Sequence, residues 1–311
     1  MVMDVRKTVL LAKAETTYDT DPTPSGTADA IMAYGVNVKE IFGVEKRNEQ
    51  WKTLDKLPSV LGERMSEVTF TTPVLGSGSA GTAPRLAALL KASAHAETLS
   101  GGVSATYAPT SANHGSVTIY VYMDGRLHIM TGCMGTGKLT FGAGKQLVMQ
   151  WTFQGRYAAP TVASLPATVT YETTAKVPPV CKSCVFTYNT KTSLIVTNVD
   201  FDMGNKVIKR PSLNDPNAIV GFEITDRDPK MTLDPEAQFQ TSFNFRGDLL
   251  TTTRAVSIVA SQAAGNICTL NVPQFNASKI DYASANEIVL EKIEGECAAS
   301  AGDDSYSIVF S

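Results

Sequence analysis

Gly132-Cys133-Met134-Gly135-Thr136-Gly137-Lys138-Leu139-Thr140-Phe141, then Gly142-Ala143-Gly144, then Gln146-Leu147-Val148-Met149-Gln150-Trp151-Thr152-Phe153, is the stretch whose reading decides the fold. Its opening residues come within one position of a phosphate-binding loop, in which glycines wrap a phosphate, a lysine reaches it and a following Ser or Thr hydroxyl binds magnesium. Leu139 stands where that hydroxyl is required. Such a loop also needs a helix behind it, so that backbone N–H groups and the helix dipole face the phosphates. Instead Leu147, Met149, Trp151 and Phe153 are apolar at every second position, the period of a half-buried strand. The run reads as a β-hairpin turning at Gly142 to Gly144. Its glycines are placed in the connection between paired strands, and Lys138 opens the hairpin.

Working outward, Val117-Thr-Ile-Tyr-Val-Tyr-Met123 alternates, Asp124-Gly125 is a two-residue turn signal, and Leu127 and Ile129 resume the alternation. A counterpart follows downstream. Ile267-Cys-Thr-Leu-Asn-Val272 and Lys279 to Leu290 repeat the order of Leu127 to Met130 and Lys138 to Met149, with Leu139 answering Ile280, Phe141 answering Tyr282, Leu147 answering Ile288 and Val148 answering Val289. This predicts an internal duplication. Upstream, Glu67 to Leu75 would answer Phe239 to Arg246, and Val36 to Phe42 would answer Leu194 to Phe201. Proline-bearing stretches at Ala158 to Pro166 and Val177 to Cys184 divide the halves. The expected organisation is residues 1–160, a linker at 161–184, and residues 185–311. One helix is expected, over Pro84 to Glu97, because Pro84 suits a first helical turn and Leu86, Leu89 and Leu90 form a one-sided stripe. In the second half Pro235 to Phe239 and Arg246 to Thr251 offer only a short helical candidate.

The chain has 311 residues, enough for two domains with real cores, and is 43% apolar and 18% charged, with Val, Thr, Ile, Tyr and Phe between its turns. It is read as mainly β. Net charge is −3, from 27 basic and 30 acidic residues, which argues against a tight DNA binder because affinity there comes from neutralising phosphates. The N-terminal apolar patch, interrupted by Lys13 and Glu15, falls short of a secretory core, and no apolar run reaches bilayer length. Folding in a reducing host cytoplasm, with no membrane partner, is expected. The five cysteines, Cys133, Cys181, Cys184, Cys268 and Cys297, are odd in number and scattered, so free thiols are the default.

Leu10-Leu-Ala-Lys-Ala-Glu-Thr-Thr-Tyr-Asp-Thr-Asp-Pro-Thr-Pro24, Gly76-Ser-Gly-Ser-Ala-Gly-Thr-Ala-Pro84 ahead of the helix, and Asp124-Gly125 before the Lys138 to Tyr157 hairpin follow one another in an order that resembles the major tail tube proteins of long-tailed, siphovirus-like bacteriophages. The resemblance is strongest from about Leu10 to Pro166. It implies two tandem β-sandwich or barrel domains, the first with a flanking α-helix, in subunits that close into rings and stack into a hollow tube conducting DNA. Rings of three chains with pseudo-sixfold symmetry, or of six chains, are both compatible with it. The implied partners are further copies of the chain, tail terminator, tape measure and tail-tip proteins, and DNA in transient, non-specific passage; the implied place is the virion tail. The slight acidic balance is compatible with a lumen that lets DNA slide, since a basic lining would act as a brake.

Two segments are the candidate contact sites. In Lys46 to Gly62 a charged stretch carries Arg47, Asn48, Trp51, Lys52, Leu54 and Asp55, assigned to ring stacking; a tryptophan in a polar loop either anchors an interface or packs back onto its own domain. The N-terminal arm, with Tyr18, Asp21, Pro22 and Pro24, is kept extended by proline and small polar residues and is assigned to a subunit contact. The residue patterns that could carry catalysis are each incomplete. Cys181-Lys-Ser-Cys184 has zinc or redox spacing but lacks a second close pair, and Pro178-Pro179 before it does not suit a redox helix. His95, His114 and His128 share no ligand or triad spacing, and Gly76 to Gly81 is not a nucleophile elbow. Asp226-Arg-Asp-Pro-Lys reads as a solvated turn, and Glu291, Glu294 and Glu296 as the polar face of an edge strand. No enzyme activity, cofactor or metal is therefore expected. The alternative is a β-sandwich receptor- or glycan-binding tail component, which calls for aromatic clusters in loops beyond Trp51.

Overall fold

In the computed structural model, described for residues 4, 6–172, 179–239, 244–249, 252–260 and 263–311, strand makes up 54% and helix 3%. The chain is mainly β, as its alternation requires. The first half contributes β1 (Thr8–Ala14), β2 (Ala30–Ile31), β3 (Tyr34–Glu45), β4 (Val60–Pro73), α1 (Ala87–Lys91), β5 (His95–Ser100), β6 (Ser104–Pro109), β7 (Val117–Met123), β8 (Arg126–Gly142) and β9 (Val148–Arg156). Then come β10 (Thr161–Val162), β11 (Val185–Tyr188), β12 (Val196–Asp202), β13 (Asn205–Pro211), β14 (Ile219–Arg227), β15 (Lys230–Pro235), a 3-10 turn (Phe245–Asp248), β16 (Arg254–Ala260), β17 (Cys268–Ala285), β18 (Ile288–Ala298) and β19 (Ser307–Phe310).

The stretch resembling a phosphate loop lies inside β8. The strand pairs with β7 up to Cys133 and with β9 from Met134 onward, and its outer end also pairs with β12. Just before this switch, Gly132 lies in a register shift of the β7–β8 pair, and its φ of +58° is left-handed and suits a glycine. The glycines that follow are therefore strand residues and not, as the sequence suggested, part of a connection. They are small for a packing reason: a Cβ on Gly135 would lie 2.5 Å from the Phe153 ring, and one on Gly137 would lie 2.9 Å from the Trp151 ring. Trp151 and Phe153 are fully buried, each removal from water contributing roughly 2–3 kcal/mol. The hairpin turn itself falls at residues 143–147, closed by Lys145 N–H donating to the Gly142 carbonyl at 2.9 Å.

One continuous ladder runs β3–β4–β9–β8–β12–β15–β18–β17–β16–β11, and β19 joins β17 to β6, which pairs with β5. Strands of both halves thus share backbone bonds, and one buried apolar cluster draws on both, from Leu10 to Phe310. Between the halves, the Leu147 and Cys181 amides donate to the Pro179 and Lys145 carbonyls, each at 2.8 Å. Residues 173–178, with Val177 and Pro178, lie outside the described residues.

Four expectations need correcting. The helix is α1 alone, far shorter than Pro84 to Glu97, because Ala94 turns left-handed at φ +57° and His95 enters β5. The gapless correspondence between the long hairpins fails at the turn: Ala283, Ser284 and Ala285, which answer Gly142 to Gly144, are paired with Leu290, Val289 and Ile288, and the chain reverses at Asn286-Glu287. Within Phe239 to Arg246, read as a strand, residues 240–243 lie outside the described residues and Phe245 begins the 3-10 turn. Finally, β18 is flanked on both sides, by β15 and β17, so Glu291, Glu294 and Glu296 are not on an edge. Glu291 is buried beside Arg246 at 3.6 Å, and burial pushes its pKa up.

The sequence reading also missed the β13–β14 hairpin, a separate two-stranded sheet. It packs Ile219, Phe222 and Ile224 against Met65, Ala94 and Met134.

Candidate assembly surfaces

The β3–β4 hairpin outruns its neighbour. β9 pairs with β4 only from Met65 to Pro73, so Val60 to Arg64, their β3 partners and residues 46–59 extend past the end of β9. A register shift between Phe42 and Val44 marks a bulge in this overhang. Its apolar side chains Phe42, Val44, Val60 and Leu61 are exposed, as is Ile41 at its base opposite Met65, although all lie in paired strands. No residue of β3 is fully buried, and among the described residues its outer edge has no strand partner.

At the tip Trp51 does not join the core: it is 45% exposed, and its Nε1–H donates to the Asp55 carbonyl at 2.5 Å. Leu54 is fully exposed. Asn48, Lys52 and Asp55 are exposed as well, while Arg47 is half-buried and pairs with Glu49 at 2.9 Å. The residues that the sequence assigned to a stacking contact therefore share one loop beyond the end of β9.

The N-terminal arm is laid over its own chain. Tyr18 Oη accepts from the Phe222 amide at 2.7 Å and donates to the Gly132 carbonyl at 3.2 Å; burial raises its pKa to about 12. Asp21 accepts from Tyr120 Oη, the Pro22 carbonyl accepts from Lys13 Nζ at 3.1 Å, and Pro24 is buried. The anchor beneath is Glu15, whose carboxylate accepts from Ser116 Oγ and Thr118 Oγ1 at 2.6 Å and from the Asp19 and Gly132 amides at 2.7 Å. In the sequence Glu15 was only a charge interrupting an apolar patch. Arg156 bridges Asp19 to Asp215, tying the arm to the loop between β13 and β14.

A second hairpin, β17–β18, reaches past its strand neighbours: β15 pairs with β18 only from Ile293 to Glu296, and beyond that Glu236 bridges Leu290 and the Ala237 amide donates to the Val289 carbonyl at 2.9 Å. Its end exposes Tyr282, Ile288 and Val289, and Arg246 lies over the Tyr282 ring with Cζ 4.4 Å from the centroid. Sequence reasoning missed this surface because Lys279 to Leu290 was read only as the counterpart of Lys138 to Met149.

The groups considered for chemistry lie apart. His95 is buried, His114 faces Glu223 at 3.1 Å and His128 faces Glu40 at 3.6 Å. Among the described residues no three His, Cys, Asp or Glu side chains converge as a cation site, and no helix is long and apolar enough to cross a membrane. Cys181 and Cys184 share a cavity of about 350 Å³ with Phe141, Leu194 and Ile258. All five cysteines are free. Arg227, read as part of a solvated turn, points inward: its Nη2 donates to the Thr110 carbonyl at 2.8 Å and the Ala94 carbonyl at 3.3 Å.

A family model described as phage tail tube protein matches residues 6–297. The chain belongs to the phage tail tube protein family. No curated protein matches it. As a tail tube protein it is a structural component of the virion tail, and the match spans both halves, including the arm and the two projecting hairpins. The match continues beyond Leu10 to Pro166, where the resemblance is strongest, to Cys297 in β18.

Proposed function

We propose that this tail tube protein closes into rings that stack into the hollow conduit through which DNA passes. The observation that carries the reading is the β3–β4 overhang, which places Leu54, Trp51 and a row of strand-forming apolar residues in solvent. Single exposed apolar residues need no explanation, but a contiguous projecting set is costly unless another surface covers it. The unpaired edge of β3 supports lateral closure, because an exposed edge offers N–H and C=O groups to a neighbouring strand. In this assembly Arg47, Asn48, Trp51, Lys52, Leu54 and Asp55 contact the next ring. The outer face of the arm around Tyr18, Asp21, Pro22 and Pro24 meets a neighbouring subunit.

The ring contains three chains in pseudo-sixfold arrangement or six chains; the near-neutral net charge of −3 suits a lumen over which DNA slides. Terminator, tape measure and tail-tip proteins bound the tube, and assembly takes place in the host cytoplasm. No catalytic step is assigned to the chain. Deleting Arg47 to Leu61 tests the reading: the variant should keep its β-sheet circular dichroism and lose stacking, and unimpaired tubes would remove the loop from the interface.

A further inference from the structure

The two projecting hairpins leave the ladder in opposite senses. The Met65 end of β4 lies beside the Arg156 end of β9, the Met134 end of the β8 segment, the Asp202 end of β12, the Lys230 end of β15 and the Glu296 end of β18. Followed that way, β4 runs toward the tip it shares with β3. β18 runs away from its own tip at Ile288. The loop at 46–59 and the turn at Asn286-Glu287 therefore overrun opposite ends of one sheet.

Their chemistries are complementary. Residues 46–59 carry four cations, Lys46, Arg47, Lys52 and Lys56, against the acids Glu49 and Asp55. Arg47 is paired with Glu49, and among the described residues Lys46, Lys52 and Lys56 form no ion pair. At the other tip Asp281 pairs with Lys279 at 2.5 Å, Glu291 faces Arg246 and Lys292 pairs with Glu294, which leaves Glu287 as the acid with no ion pair there among the described residues. Tyr282, Ala283, Ser284 and Val289 line an open groove there. Tyr282 is 67% exposed, yet its ring is held by Arg246, which also faces Glu291, so the groove wall is set before any partner arrives.

We infer that this groove at the β17–β18 tip receives the Trp51–Leu54 loop of a second copy of the chain, with Leu54 in the groove and Lys52 and Lys56 facing Glu287. The inference rests on the ring-stacking reading and names the acceptor that reading lacks. A contact between unlike patches is heterologous, so it leaves one patch of each kind free for a further copy and does not stop at a dimer.

A double variant, Leu54→Cys with Val289→Cys, is assembled under reducing conditions and then oxidised with oxidised glutathione. Non-reducing electrophoresis should show a ladder continuing past the dimer, and neither single variant nor the parent chain should give one. Assembled tubes without a ladder, or a dimer from Leu54→Cys alone, would overturn the groove assignment and leave ring stacking standing. A parent chain that forms no tubes would remove both. If the double variant fails to assemble, charge reversal decides: Lys52→Glu with Lys56→Glu should abolish stacking, and adding Glu287→Lys should restore it. Absence of that rescue would overturn the proposal.

Discussion

The Trp151 indole occupies the space over Gly137, where a Cβ would lie 2.9 Å from its Cζ3. The same indole donates through Nε1 to Thr72 Oγ1 at 2.9 Å, so the ring is fixed by a buried hydrogen bond and cannot move aside without breaking it. Gly137 is a glycine for packing. Gly137→Ala should destabilise the fold by about 1–3 kcal/mol, the usual cost of overpacking a close-packed site, read as a shift in the urea midpoint with an unchanged slope.

Lys138, the neighbouring residue, is exposed on β8. Lys138→Ala should leave the thermal midpoint within about 1 °C of the parent, because surface changes away from special features cost little. Calorimetric titration with magnesium ATP should give no binding to either protein. Binding that Lys138→Ala abolishes would restore the nucleotide reading.

Tyr18 Oη serves the Phe222 amide and the Gly132 carbonyl together, linking the arm to β14 and to the bend in β8. Tyr18→Phe leaves a half-buried amide without its acceptor, a loss of about 1–3 kcal/mol. The Phe222 amide should then exchange its hydrogen faster than in the parent, as followed by mass spectrometry or NMR.

His95 stays neutral in the fold. Its Nδ1–H donates to the Leu90 carbonyl at 2.9 Å, which leaves Nε2 to accept from Tyr306 Oη at 2.9 Å, and burial holds the pKa down to about 4. An unfolded imidazole titrates near ~6.5. Between those values the unfolded chain binds a proton that the folded chain refuses, so stability is full above pH ~6.5 and falls as the pH drops toward about 4, by roughly 3 kcal/mol. Chemical denaturation across that window should show a shallower pH slope for His95→Gln than for the parent.

Strands whose alternation is local were legible from sequence. Val117–Met123 and Val148–Arg156 form where the pattern places them; β9 alternates between core and a less buried face, whereas β7 is covered on both faces from Val117 to Val121. The helix was over-read for a physical reason. Leu- and Ala-rich composition over Pro84 to Glu97 favours helix, but His95 bonds Tyr306 across 211 positions of chain and Glu97 takes the Tyr107 hydroxyl at 2.8 Å, so tertiary partners pull the segment into β5. Arg227 and Glu15 were illegible because most of their partners lie about a hundred residues or more away along the chain. At the assembly surfaces, Trp51 and Leu54 stood out as apolar residues in a charged loop, whereas Tyr282 and Val289 looked like ordinary strand residues until the overhang placed them in solvent.

The central claim is that this tail tube protein polymerises through its own projecting surfaces, and electron microscopy of the purified chain, with tail initiation components present, tests it most directly. The account predicts rings or hollow tubes. A monomer that persists at every concentration and never polymerises would contradict it.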